Sequence, residues 1–223
     1  MRGWTVSTVK DNAIQRNRLY DSYRALRSHI RVRLFGPRMY LDQVVLFQEL
    51  DRLIATLPTG NMDALEISGN RWAKGGFRSY ISANFPEYDV CEKPLPDSFD
   101  IIIAEQVFEH LLWPHRAAKN VYSMLRPGGY FMVTTPFLQK IHSYPTDCSR
   151  WTETGMKYLL ADSGFDLEDI QTWSWGNRDA ARANLNHPYK FPVYIPKLSS
   201  LKNDPVFPVQ VWALAKRQAT RNS

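Results

Sequence analysis

Residues 99–105, FDIIIAE, form a nearly unbroken apolar run. A strand with one face in water alternates apolar and polar residues, whereas a strand covered on both faces is apolar throughout, as central strands of parallel sheets are. Parallel neighbours cannot be joined by hairpins and need crossover connections, usually helices. This one run therefore predicts an α/β chain built around a central parallel strand.

The rest of the sequence supplies its neighbours. MDALEI (62–67), FRSYIS (77–82), YFMVTTP (130–136), FDLEDIQTWSW (165–175) and FPVQVWALAKR (207–217) read as further strands. Helical patterns span Tyr40 to Leu57, stopped by Pro58 and Gly60, and Pro114 to Leu125, with proline in the first turn. A third runs from Thr152, a candidate cap, to Ser163, with Gly164 as its stop. The last two strands are joined without a clear helix, which predicts an antiparallel edge. Residues 1–60 read as a helical segment packing on a domain formed by 61–223. Residues 177–205, rich in Pro, Asn and Tyr, read as an ordered insertion across the sheet end.

At 223 residues, the chain suits one sizeable domain. No apolar run approaches the roughly 20 residues of a membrane span, and no secretory signal pattern opens the chain, so the expected location is cytoplasmic. Cys91 and Cys148 fit buried thiols of a reduced protein, and His142 with Cys148 lacks the paired spacing of a zinc site. The net charge of +6 is concentrated in Arg16, Arg18, Arg24, Arg27, Arg31, Arg33 and Arg38, interleaved with apolar residues at helical steps. That arginine face is either solvated or meets an acidic partner or membrane surface. No aromatic platform or reading motif accompanies it, so only weak, non-specific nucleic-acid binding is expected.

The stretch LEISGNRW (65–72) ends a strand in the manner of a nucleotide loop, but a pyrophosphate needs several glycines at a helix N-terminus and here only Gly69 is present. A cofactor without phosphates needs less: one close backbone approach and an acidic group for a cationic portion. Taken with Glu66 and Gly69, then Asp89 ahead of PLPDSFDIIIAEQVFEH, then LRPGGYFMVTTPF, the chain from Asp63 to Arg217 resembles the class I S-adenosylmethionine-dependent methyltransferases. The resemblance implies a three-layer Rossmann-like fold with a mostly parallel seven-stranded sheet and an antiparallel last strand. It implies S-adenosylmethionine held by Glu66, Ser68, Gly69 and Asn70, with Ser82 or Asn84 where the family has a ribose-gripping acid. Asp89 and Val90 would lie beside adenine, and Glu105, Gln106 and His110 would close the pocket. Ser68 and Asn70 replace two family glycines, and the helix after this loop is nearly lost, which leaves room for Arg71 or Trp72 over the cofactor.

The segment after the fifth strand of that fold, TPFLQKIHSYPTDCSRW, would face the transferred methyl group. His142 is its candidate base, Asp147 orients it or holds an acceptor hydroxyl, and Tyr144 completes the candidate catalytic set; Arg150 and Trp151 read as structural. The pattern H…P.D..RWT..G resembles methyltransferases of glycan and natural-product pathways, particularly actinobacterial sugar O-methyltransferases of the methylmannose polysaccharide type. A sugar hydroxyl, such as the 1-OH of a short methylated mannoside, is then the expected acceptor; Trp173, Trp175, Tyr189 and Tyr194 suit sugar faces and suit an ordinary core equally well. Mg²⁺ at Asp147 and His142 is a further expectation of that likeness. The competing readings are methylation of another small molecule, an amine, phenol or carboxylate, and a binding or scaffold protein that keeps the fold without activity. The expected partner is a small-molecule or oligosaccharide acceptor, with a homo-oligomer open.

Overall fold

The computed structural model describes residues 40–142, 145–186, 194–195 and 198–219. The arginine-rich segment 16–38, Tyr144 and Tyr189 lie outside the described residues.

Six strands form one sheet: β1 (Asp63–Ile67), β2 (Ser79–Ala83), β3 (Phe99–Glu105), β4 (Leu125–Pro136), β5 (Ile170–Trp175) and β6 (Gln210–Lys216). Their order is β2-β1-β3-β4-β6-β5. β1 pairs in parallel with β2 and β3, and β3 with β4, while β6 runs antiparallel to β4 and to β5. The antiparallel strand is therefore one place inside the sheet and β5 forms the edge, not β6. The expected seventh strand is missing among the described residues. Residues 84–98, which join β2 to β3, form only turns and coil. A segment that short must cross over β1 and has no length left for a helix and a returning strand.

β3 is covered as its composition requires: Ile101, Ile102, Ile103 and Ala104 are all 0% exposed. Ile102 and Ala104 point to one face, against α2 (Pro114–Met124) through Ala117, Ala118 and Val121, and α3 (Glu153–Asp162) through Met156 and Leu160. Ile101 and Ile103 point to the other, against α1 (Leu41–Ala55) and α4 (Arg178–Asn186). Three layers result. Thr152 caps α3, accepting from the Gly155 amide, and Gly164, at φ +120°, ends that turn.

α4 has no counterpart in the sequence reading, which gave 177–205 to an insertion. Asn177 starts it, its Oδ1 accepting the Ala180 amide at 2.9 Å, and Ala180 and Ala181 bury against the α1 face. Two alanines and a side-chain cap make too weak a periodic signal to find. Trp175 is also core, 3% exposed with its indole donating to the Leu201 carbonyl, so it is not a sugar platform. At the strand N-termini, Asp100 accepts from the Asp63 amide and from Arg126, which also reaches Asp63. This ion network is structural and stands at the opposite end of the sheet from the site.

Candidate functional site

The strand order reverses between β1 and β3, since β1 leads to β2 on one side and β3 to β4 on the other. In open α/β sheets, ligands bind in the crevice at the carboxyl ends of the strands flanking such a point. Ser68 and Gln106 stand there, each immediately past its strand. They are the only non-glycine residues with positive φ among the described residues, at +55° and +56°. Left-handed backbone costs a residue with a side chain roughly 1 kcal/mol or more, and such strain gathers at functional sites.

Glu66 organises the first loop from within. It is 1% exposed, and its carboxylate accepts from the Arg71 amide (3.1 Å), the Trp72 amide (2.9 Å) and the Tyr80 hydroxyl (2.6 Å). The two amides open the 3₁₀ turn Arg71–Lys74, which is all that remains of the first crossover helix. Ser82, at the end of β2, donates to the Gly69 carbonyl, and Asn84 donates to Ser82 at 3.0 Å. Ser68 and Asn70 are exposed. Trp72, in contrast, is 5% exposed and packs in the α1 face of the core. Its indole donates to Glu105 Oε2 at 3.3 Å, beside an Arg71–Glu105 ion pair at 3.2 Å. Arg71 also pairs with Asp51 and lies 4.0 Å over the Phe47 ring, so it ties α1 to the end of β3. Burial pushes the Glu105 carboxyl above its ordinary range, and Arg71 opposes that shift.

Gln106 is turned into the sheet. Its side-chain amide donates to Thr134 Oγ1 and Gln210 Oε1, both at 2.9 Å, and Gln210 donates to Asp42 Oδ2 at 3.0 Å. Sequence reasoning missed this buried chain because Asp42 and Gln210 are 168 positions apart and belong to no motif. Asp89 caps its own turn, accepting the Cys91 amide at 2.8 Å, and Val90 is buried beneath it.

The loop after β4 forms a second assembly. The 3₁₀ turn Phe108–His110 is stitched to the loop after β4: the Cys148 and Ser149 amides donate to the Glu109 carbonyl, and Thr146 Oγ1 to the His110 carbonyl. The His110 and His142 ring centroids are 5.0 Å apart, edge to face. Asp147 accepts a two-pronged pair from Arg150, accepts the His142 amide at 2.8 Å, and lies 3.3 Å from His142 Nδ1. Arg150 holds the Asp147 carboxyl down at about 2. Burial lowers the His142 imidazole below its ordinary 6.5. An ionised carboxylate committed to a guanidinium and an amide has little left for magnesium, which wants several oxygen ligands. Asp147 thus orients His142 and does not fit a Mg²⁺ site. Cys148 is an exposed free thiol, contrary to the expectation of burial, whereas Cys91 is buried. Glu109, absent from the expected cofactor and catalytic sets, is 0% exposed with neither carboxylate oxygen hydrogen-bonded among the described residues, and burial pushes its carboxyl up to about 8.

No helix among the described residues is long and apolar enough to cross a membrane. A family model described as a methyltransferase domain matches residues 20–179. A Mycolicibacterium smegmatis protein, named a probable S-adenosylmethionine-dependent methyltransferase, is 32% identical over 108 residues. That match covers 41% of this chain and 40% of the relative, so the chain spans well under half of the curated protein it matches. The crystal structure of a Thermotoga maritima SAM-dependent methyltransferase, described as a possible histamine N-methyltransferase, superposes with a TM-score of 0.52 at 15% identity. It covers 87% of this chain and 97% of its own, and at that identity the likeness is one of fold.

Proposed function

The chain belongs to the methyltransferase-domain family, and on that premise we propose that it transfers a methyl group from S-adenosylmethionine to a hydroxyl of a small acceptor, specifically a sugar hydroxyl such as the 1-OH of a short methylated mannoside. The observation that carries this reading is the paired left-handed backbone of Ser68 and Gln106 at the switch point of the sheet. A serine keeps a glycine-like conformation there, which a worn-out loop has no reason to preserve.

When bound, the cofactor supplies a methyl group on a cationic sulfur, open to in-line displacement. The chain's part is binding and positioning. Ser68, Gly69 and Asn70 present backbone at the crevice, held by Glu66 and Ser82. The carboxylates of Asp89 and Glu105 favour a cationic ligand, Val90 offers an apolar contact for adenine, and Gln106 fixes the turn leading to His110. The missing first helix removes the amide array a phosphate would need, in keeping with a cofactor that has none.

At the acceptor end, His142 accepts the hydroxyl proton. Its lowered pKa keeps it neutral near pH 7, and Asp147, pinned by Arg150, sets the ring's direction. The shallow cleft lined by Gln139, Ile141, Asp147, Cys148, Ser149 and Arg150 offers hydrogen-bonding side chains to a hydroxylated acceptor.

Calorimetry with S-adenosylmethionine tests the first half: an inactive scaffold of this fold need not bind it. Mass spectrometry of methylated mannosides, phenols, carboxylates and amines after incubation with donor tests the second. Methyl gain on amines or phenols alone would discard the sugar reading.

A further inference from the structure

We infer that Glu109, His110 and His142 form a binding site for a divalent first-row transition ion of the Zn²⁺ type. One ligand atom from each lies within 4.8 Å of the other two. Glu109 is fully buried, yet neither carboxylate oxygen has a hydrogen-bond partner among the described residues. A buried, unpartnered carboxylate is costly, and a cation beside it removes the cost. His110 Nε2 lies 3.6 Å from Glu109 Oε1.

Both histidines are oriented from behind. His110 Nδ1 meets the Thr146 carbonyl, which leaves Nε2 toward Glu109. His142 Nδ1 faces the Asp147 carboxylate, itself neutralised by Arg150. Metal-bound histidines ordinarily have their second nitrogen tied to a carbonyl or carboxylate in this way. Two imidazoles and one carboxylate suit zinc and its neighbours and disfavour magnesium, which takes oxygen. Three protein ligands leave one coordination position open to solvent. Tetrahedral ligands bound at about 2.0–2.1 Å stand roughly 3.4 Å apart, so the cluster must draw in by about an ångström. His142, on the loop after β4, is the ligand placed to move. Glu109 and His110 are adjacent but His142 lies far down the chain, a separation that matches no usual metal-ligand spacing. The site stands whether or not the chain transfers methyl groups.

Untagged full-length protein, stripped with chelator, is titrated with Zn²⁺ in competition with a chromophoric chelator, and Co²⁺ is added separately to read its visible absorption. One equivalent per chain is expected, with binding weakened at least tenfold in Glu109→Gln and in His142→Ala, and unchanged in His115→Ala. Asp147→Asn should weaken it as well, by roughly tenfold, through the orientation of His142. Should Glu109→Gln not fold, His110→Ala and His142→Ala decide by the same readout. Failure of the wild type to bind one equivalent, or equal binding by wild type and the ligand variants, overturns the site.

Discussion

The carboxylate of Glu66 fills the space that a β-carbon on Gly69 would need. The bare backbone at residue 69 is therefore required inside the loop itself, before any ligand is considered. Gly69→Ala should push Glu66 off the Arg71 and Trp72 amides and the Tyr80 hydroxyl. Hydrogen bonds to a charged group contribute about 1.5–3 kcal/mol each, so a loss on the order of 3 kcal/mol is expected in urea unfolding. Donor affinity should fall with it. A variant as stable as wild type would show that Glu66 has another place to go.

Ser68 holds a conformation that glycine adopts without penalty. Ser68→Gly should raise stability by up to about 1 kcal/mol, and Ser68→Val should lower it by more than that, since branching worsens the clash. Donor affinity by calorimetry should survive the glycine and suffer from the valine. Equal stability of all three would mean that the turn relaxes and stores no strain.

His142→Ala should reduce turnover by about 10²-fold or more, as loss of a proton acceptor does, with donor affinity nearly unchanged. Asp147→Asn should lower kcat less, since Arg150 and the His142 amide still partly hold the loop. These measurements belong on chelator-treated protein with metal content followed. His142 cannot hold an ion and accept a proton at one nitrogen, so added Zn²⁺ should slow the wild type. Near-normal turnover by His142→Ala moves the base elsewhere, with His110 or Glu109 the next candidate.

Asp42 is buried at the start of α1, and burial raises its carboxyl above the ordinary 3.8, opposed by its bond from Gln210. A raised folded-state pKa means the folded state holds the proton more tightly than the unfolded state. Stability from this group is then fully present below pH 3.8 and declines as pH rises through the folded value. Asp42→Asn keeps an acceptor for Gln210 and removes the charge. Its advantage over wild type should be small near pH 3.8 and grow toward neutrality, in thermal melts across that range. A difference that does not vary with pH would mean Asp42 titrates normally.

The central strand and three of the four helices were legible because their signals are local: the unbroken run at 101–104, Pro114 in a first turn, Thr152 as a cap. The loop at 66–70 was legible as altered, but not the left-handed backbone of Ser68, which no residue pattern there marks. α4 and the polar chain from Asp42 through Gln210 to Gln106 depend on partners that meet only in the folded chain. The burial of Glu109 was hidden for a different reason. Beside a histidine at a helical turn this glutamate looks like a surface residue, and only packing of the 146–149 loop makes it a buried one.

β6 lies between β4 and β5, and β5 pairs with nothing else in the described sheet. During synthesis, residues 170–175 leave the ribosome well before 210–216, so β5 must wait with both edges open until its partner is made. The same strand brings Val211, Ala213 and Ala215 to the α2–α3 face and Trp212 to the α1–α4 face, closing both halves of the core in one step. A nascent chain halted before Gln210 would thus hold a four-stranded sheet and a detached ribbon, exposed to the aggregation that unpaired strands invite.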